Sequence, residues 1–130
     1  MKKVSRWYAS VNDAIKVPNE KDRISSLIIE NQDMQIRYYS PKKKDTQVPH
    51  QQDEVYVIAK GSGTFVRNNV GISFHIGDII FVPKNEHHYF KDYTDDFATW
   101  VNDIFDEKSL SKELKKIHEK LETQRTLLNH

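Results

Sequence analysis

A histidine and a glutamate stand four positions apart in the stretch PHQQDEVYVIAKGSGTF, residues 49–65. On a single strand, which rises about 3.3 Å per residue, His50 and Glu54 would lie about 13 Å apart, too far to share a small ligand. If residues 51–53 form a turn between two strands, the two side chains lie opposite each other, with Cβ atoms about 4.5–5.5 Å apart. An imidazole nitrogen and a carboxylate oxygen can then bind one metal ion, at about 2.0–2.2 Å each. The spacing therefore predicts part of a metal site, provided that the chain turns there.

A third ligand has to come from elsewhere, and the segment GDIIFVPKNEHHYF offers two adjacent histidines. In this segment Gly77 turns the chain, Pro83 ends a strand, and residues 84–85 supply a second turn. A histidine after that turn can face back over the strand. His87 and His88 point to opposite sides if they lie on a strand, so one of them is the candidate ligand.

The segments that position these residues read as short strands. From residue 25 to residue 105, short apolar segments alternate with clusters of Gly, Asn and Asp. This pattern indicates an all-β sandwich or barrel and not a parallel α/β sheet. Alternation places Tyr56 on the same face of its strand as Glu54, so if one points into the barrel, both do. A carboxylate that points inward needs a cation or hydrogen bonds to stabilise it.

One domain with an extension at each end is predicted. Residues 1–24 form an N-terminal extension, with a short helix over residues 10–16, and residues 25–106 form the β-barrel. Residues 107–130 form a C-terminal α-helix that packs on the barrel or on a second copy of the chain. Its apolar stripe consists of Leu110, Leu114, Ile117 and Leu121.

Composition excludes several classes of partner. The 130 residues carry a net charge of +1, so neither a nucleic acid nor an anionic membrane is expected as a partner. No apolar run is long enough to cross a bilayer, and no secretory signal follows the N-terminal lysines. We therefore expect a cytoplasmic protein. Cysteine is absent, so any metal must be held by His, Asp or Glu.

The opening stretch resembles the first motif of the cupins, which are small β-barrels of the jelly-roll type. In its usual form this motif has two histidines separated by one residue, a glutamate four or five positions on, and a glycine after six further residues. His50, Glu54 and Gly61 match the second histidine, the glutamate and the glycine. Val48 stands in place of the first histidine, and Lys42 in place of the glycine that begins the motif.

The segment with the adjacent histidines resembles the second cupin motif. Gly77, Pro83 and His88 match its first glycine, its proline and its histidine. Asn85 replaces the second glycine, and asparagine tolerates a left-handed turn nearly as well as glycine. Asp92 replaces the asparagine that ends the motif.

The resemblance implies a cupin jelly-roll β-barrel that binds a divalent metal ion through His50, Glu54 and His88. Two histidines and one carboxylate are the ligand types of a ferrous facial triad, and they also match the three protein ligands of catalytic zinc sites. The sequence does not distinguish Fe, Mn, Ni and Zn. Gln52 and Tyr56 are candidates for a further ligand or for a group that supports the ligands.

The resemblance covers residues 34–105 and is to the small single-domain bacterial cupins. It implies a metal-binding protein. This protein would be a metal-dependent enzyme of dioxygenase or isomerase type that acts on a small metabolite held in the barrel. The alternative is a non-catalytic module that binds a sugar or a hydroxy acid. Such a module would have lost a full metal site because Val48 replaces the first histidine of the motif. A homodimer is expected from the family.

Overall fold

The computed structural model describes residues 6–21, 23–105 and 117–125, and in these ranges eight strands form two antiparallel sheets. The strands are β1 (Ser26–Glu30), β2 (Met34–Tyr39), β3 (Asp53–Lys60), β4 (Gly63–Arg67), β5 (Val70–Phe74), β6 (Ile79–Val82), β7 (His88–Lys91) and β8 (Ala98–Ile104). One sheet has the order β1-β2-β8-β3-β6, and the other has the order β5-β4-β7. The all-β prediction is confirmed.

The core lies between the two sheets. Along β3, Tyr56 and Ile58 are buried while Val57 between them is exposed, as the two-residue period of a strand requires. The core residues contributed by the larger sheet are Tyr39, Tyr56, Ile58, Ile80, Val82 and Val101, and those contributed by the smaller sheet are Phe65, Phe74 and Phe90. The aromatic rings of the smaller sheet pack directly on the larger sheet, with 5.1 Å between the ring centroids of Tyr56 and Phe90.

The N-terminal segment covers the opposite face of the larger sheet. Its predicted short helix is confirmed as α1 (Val11–Ile15), which Ser10 caps in a reciprocal pair of hydrogen bonds with Asp13. Ala14 is buried there against Ile28 and Tyr38. This segment is therefore packed on β1 and β2 of the larger sheet.

The turn after β3 depends on a glycine. Gly61 has a φ of +79°, and a Cβ atom at this position would clash with Thr94 Oγ1 and lie 2.8 Å from Phe97 Cα. We expect Gly61→Ala to lower the free energy of unfolding by about 2–4 kcal/mol, because the methyl group adds a clash with the backbone to the strain of a positive φ. Urea unfolding of the two proteins measures this difference.

A second glycine supplies the matched control. Gly77 has a φ of +89°, but a Cβ atom there would meet nothing within 4 Å. Gly77→Ala therefore introduces the same kind of backbone strain without the clash and should cost about 1 kcal/mol. If both variants lose the same stability, the close approach of the chain at Gly61 contributes nothing.

Residues 117–125 are helical, as predicted for this part of the chain. Ile117 and Leu121, the two described residues of the predicted apolar stripe, are each more than half exposed. Leu110 and Leu114 lie outside the described residues, and the packing of this helix stays a prediction. In the part of the chain that the structure describes, no helix is both long and apolar enough to cross a membrane.

Candidate metal site

The structure brings the three predicted ligands together. Glu54 Oε1 lies 3.3 Å from His50 Nε2 and 3.4 Å from His88 Nε2, and the three donor atoms all lie within 4.8 Å of one another. The side chains of Glu54 and His88 are buried, and that of His50 is 28 % exposed. Three donor groups of the predicted types thus converge on one point that solvent reaches from the side of His50.

Two of these ligands are placed by strand pairing. Glu54 lies on β3 between Asp103 of β8 and Val82 of β6, in the larger sheet. His88 begins β7 opposite Arg67 of β4, in the smaller sheet. Each sheet therefore contributes one ligand from its inner face.

The third ligand is placed differently from the prediction. The strand expected to end at His50 does not exist, since residues 40–52, here called the strap, contain no strand. Proline occurs twice in the strap, at positions 41 and 49, and lacks the N–H that a strand ladder requires. The His50 carbonyl accepts a hydrogen bond of 2.6 Å from the N–H of Asn85, in the turn after β6. This contact fixes His50 beside the other two ligands without a hairpin.

A buried carboxylate fastens the strap to both sheets. Asp45 accepts hydrogen bonds from the Tyr39 hydroxyl at 2.5 Å, the Phe90 N–H at 2.7 Å and Gln47 Nε2 at 2.7 Å. Tyr39 belongs to the larger sheet and Phe90 to the smaller one. Asp45 ends the run KKKD, which is typical of a solvated turn, so no signal in the sequence marks this residue as buried.

A tyrosine hydroxyl lies at the centre of the cluster. Tyr56 OH is 2.9 Å from Glu54 Oε1, 3.0 Å from His88 Nε2 and 3.0 Å from Gln47 Oε1. Burial and the adjacent Glu54 raise the pKa of Tyr56 well above its usual value, so its hydroxyl stays neutral. Of the two glutamines near the site, Gln52 hydrogen-bonds Asp103, whereas Gln47, which the sequence analysis did not single out, contacts Tyr56.

The hydrogen bonds of His88 fix which of its nitrogens faces the cluster. His88 Nδ1 donates to the carbonyl of Glu86 at 2.8 Å, which leaves Nε2 pointing at Glu54. In the neutral ring Nε2 therefore carries a lone pair, as a metal ligand must. Burial lowers the pKa of His50 despite the nearby carboxylate, which favours the neutral form of this second imidazole.

The donor set fits a divalent cation. Burial opposes ionisation of Glu54, but hydrogen bonds from His88 and Asp103 outweigh it, so the pKa of Glu54 is lowered and the side chain is a carboxylate. The single hydrogen of the Tyr56 hydroxyl cannot satisfy Glu54, Gln47 and a neutral His88 at once. A proton on His88 or a metal ion can supply the missing positive charge. Burial works against protonation of His88, but the Glu54 carboxylate and the Glu86 carbonyl outweigh it and raise the pKa of His88.

A second buried acid supports Glu54. Asp103 lies opposite Glu54 across the β3–β8 pair, and the two side chains share a hydrogen bond. Burial and the negative charge of Glu54 raise the pKa of Asp103 to about 8. At neutral pH the Asp103 carboxyl therefore keeps its proton and donates a hydrogen bond to the Glu54 carboxylate.

This arrangement predicts a pH effect on the metal-free protein. The unfolded chain releases the Asp103 proton near pH 4 while the folded protein holds it up to about pH 8, so the free energy of unfolding falls between these values. Asp103→Asn keeps a hydrogen-bond donor but does not titrate. We expect this variant to be about 1–3 kcal/mol more stable than the wild type at pH 8. Urea unfolding in EDTA at pH 5 and pH 8 measures the effect.

The control for this effect is Asp95→Asn, which changes an exposed carboxylate in the turn before β8. It should leave the pH dependence of stability as it is in the wild type. An Asp103→Asn protein that loses as much stability between pH 5 and pH 8 as the wild type would show that Asp103 is not the group responsible.

Comparison with solved structures identifies the fold. The chain is 18 % identical to a cupin-2 domain protein from Shewanella frigidimarina, with a TM-score of 0.58 over 74 % of this chain and 93 % of that one. It is also 18 % identical to an RmlC-like cupin family protein with a double-stranded β-helix fold from Methanocaldococcus jannaschii, with a TM-score of 0.57 over 72 % and 89 % of the two chains.

A third similar structure is an enzyme. The DMSP lyase DddQ from Ruegeria pomeroyi is 20 % identical, with a TM-score of 0.50 over 59 % of this chain and 41 % of that one. The sequence matches no family model and no curated protein. The two facing antiparallel sheets and these similarities together show that the chain has the cupin fold, the double-stranded β-helix.

Proposed function

We propose that the chain binds a divalent metal ion through His50, Glu54 and His88 and is a metal-dependent enzyme of dioxygenase or isomerase type that acts on a small metabolite. The observation that carries this proposal is the convergence of two imidazole nitrogens and a buried carboxylate within 4.8 Å. His88 is already held in the tautomer that a ligand needs. The likeness to a lyase of the same fold supports an enzymatic role, although the fold alone supports many functions.

The residues around the ligands would orient a substrate at this site. A metal ion held by His50, Glu54 and His88 would supply a Lewis acid for an oxygen-bearing molecule. Tyr56 offers a neutral hydroxyl inside the cluster, and Asp103 keeps Glu54 ionised by donating a hydrogen bond to it. The partly exposed side of His50 is where a small metabolite can enter.

A non-catalytic module that binds a sugar or a hydroxy acid is the alternative. It is favoured by one observation: a proton on His88 satisfies the cluster without any metal, through the contacts of Glu54 and Tyr56 with Nε2. In such a protein the same polar side chains would hydrogen-bond the hydroxyl groups of a ligand. A cytoplasmic location stays a prediction from the sequence.

Native mass spectrometry of the purified protein, with elemental analysis for transition metals, separates the two functions. A bound metal that EDTA removes, and that restores the holo mass on readdition, supports the metal-dependent protein. Metal-free protein that fails to bind Fe, Mn, Ni or Zn but carries a small metabolite contradicts it and supports the binding module.

We further propose a homodimer that forms through the outer strands β5 and β6, each of which pairs with one neighbouring strand in the part of the chain that the structure describes. Side chains on these strands are apolar and exposed, and they border a cleft of about 560 Å³; they are Val70, Ile72, Ile79 and Phe81. An unpaired apolar edge can pair with the same edge of a second copy around a twofold axis.

The charge-introducing variant Ile79→Lys tests the dimer, because Ile79 is 72 % exposed and the change costs the monomer little. We expect the wild type to sediment as a dimer and the variant as a monomer of unchanged thermal stability. Ile15→Lys, which makes the same change at an exposed position of α1 outside this cleft, is the control. A monomeric wild type at all concentrations contradicts the proposal.

A further inference from the structure

We infer that the side-chain amide oxygen of Gln47 is a fourth ligand of the metal, in place of the imidazole that is missing at Val48. This inference rests on the proposed metal site. Val48 is 67 % exposed, so the position that matches the motif presents its side chain largely to solvent. The preceding residue of the strap, Gln47, instead contacts the cluster.

The orientation of the Gln47 amide follows from its partners. Gln47 Nε2 lies 2.7 Å from Asp45 Oδ2, and an ionised carboxylate only accepts hydrogen bonds, so the amide NH₂ group must face Asp45. The amide oxygen is thereby turned toward the cluster, 3.0 Å from Tyr56 OH and 3.4 Å from His50 Nε2. Asp45 itself is fixed by Tyr39 and Phe90. The oxygen is therefore held in place before any metal binds.

The chemistry of this oxygen suits a ligand. Side-chain amide carbonyls are established oxygen ligands of divalent cations, and the oxygen of Gln47 carries a second lone pair beyond the one that faces Tyr56. The Tyr56 hydroxyl has a single hydrogen, which Glu54 and Gln47 both compete for. Gln47 thus adds a further electron-rich atom to the cluster formed by Glu54, Tyr56 and the two histidines, which already lacks a positive charge. Two imidazoles and two oxygens would then surround the metal.

Cobalt is the probe, because the intensity of its visible bands increases as the number of ligands falls. EDTA-stripped wild type, Gln47→Leu and Gln47→Glu are titrated with Co²⁺ by calorimetry and by absorption. We expect Gln47→Leu to bind Co²⁺ about tenfold or more weakly and with more intense bands. We expect Gln47→Glu to bind at least as tightly as the wild type, since it keeps an oxygen toward the metal.

The pair of variants separates a ligand from a residue that only holds the strap. Both substitutions remove the NH₂ group that contacts Asp45, and Gln47→Glu also places a second carboxylate beside it. A purely structural role therefore predicts that Glu weakens Co²⁺ binding at least as much as Leu, and that result overturns the inference. Equal affinity and equal spectra for wild type and Gln47→Leu also overturn it, while leaving the three-residue site intact. A wild type that binds no Co²⁺ overturns the metal site and this inference together.

Two changes at the neighbouring position complete the experiment. Val48→Ala should leave Co²⁺ affinity unchanged, because the side chain faces solvent. Val48→His restores the residue of the motif but should not tighten Co²⁺ binding, for the same reason. If Val48→His binds Co²⁺ more tightly than the wild type and its visible bands differ in intensity from those of the wild type, the strap places residue 48 at the metal and Gln47 outside it. Urea unfolding of each metal-free variant checks that the fold is retained.

Discussion

His88→Ala should reduce the affinity for Co²⁺ by at least about 100-fold. Loss of groups that only support metal ligands typically costs 10- to 100-fold, and His88 is itself a proposed ligand with its lone pair fixed toward Glu54 by the Glu86 carbonyl. The variant keeps one imidazole and one carboxylate, with the neutral amide oxygen of Gln47 beside them, and this set holds a first-row ion less tightly than two imidazoles and a carboxylate do. Calorimetric titration of the EDTA-stripped protein with Co²⁺ measures the loss.

The adjacent histidine is the matched control. His87 is exposed, and its ring packs on that of Tyr89. His87→Ala should bind Co²⁺ with wild-type affinity. Because His88 is buried, circular dichroism must show that His88→Ala is folded; the more exposed His50→Ala, with the same expected loss of affinity, provides a variant with less risk to the fold. Wild-type affinity in both ligand variants would rule out the proposed site.

Asp45→Ala should lower the free energy of unfolding by about 3–5 kcal/mol. The substitution leaves the Tyr39 hydroxyl, the Phe90 N–H and the Gln47 amide without their acceptor, in a buried region where each unsatisfied donor costs about 1–3 kcal/mol. Since Asp45 fastens the strap that carries His50, the affinity for Co²⁺ should fall as well. Urea unfolding of the metal-free protein measures the first effect.

Two further substitutions make this result specific. Asp45→Asn keeps one acceptor oxygen and the shape of the side chain, so it should lose less stability than the alanine variant. Asp78→Ala removes an exposed carboxylate that accepts from the His75 N–H at 2.7 Å, and should cost less than about 1 kcal/mol. If Asp45→Ala is as stable as Asp78→Ala, the buried carboxylate does not hold the strap.

The strands could be predicted from the sequence because alternation is a local signal. The hairpin of β1 and β2, the inward face of Glu54 and Tyr56, and the last strand all follow from a two-residue period. The resemblance to the cupin motifs added His88, since it fixed which of the adjacent histidines to choose. Both signals lie within short stretches of chain.

The strap could not be predicted, because its conformation comes from contacts distant in sequence. Asp45 meets Phe90 forty-five positions away, and the His50 carbonyl meets Asn85; neither contact leaves a periodic pattern. The hairpin predicted around residues 51–53 was therefore wrong even though His50 and Glu54 do come together. Asp103 had a signal that was not used, since it shares the inward face of β8 with Val101.

The buried guanidinium of Arg37 makes the N-terminal extension part of the folded unit. Arg37 is 3 % exposed, and its closest ionic partner is Glu20 at 2.7 Å, while Asp103 lies 3.8 Å away. A shortened chain that started at residue 25 would lack Glu20, so the Arg37 guanidinium would lose its closest ionic partner. Cloning boundaries for expression should therefore be drawn before α1, and a protein cut at the first strand is expected to be less stable, because a buried cation without its partner is costly.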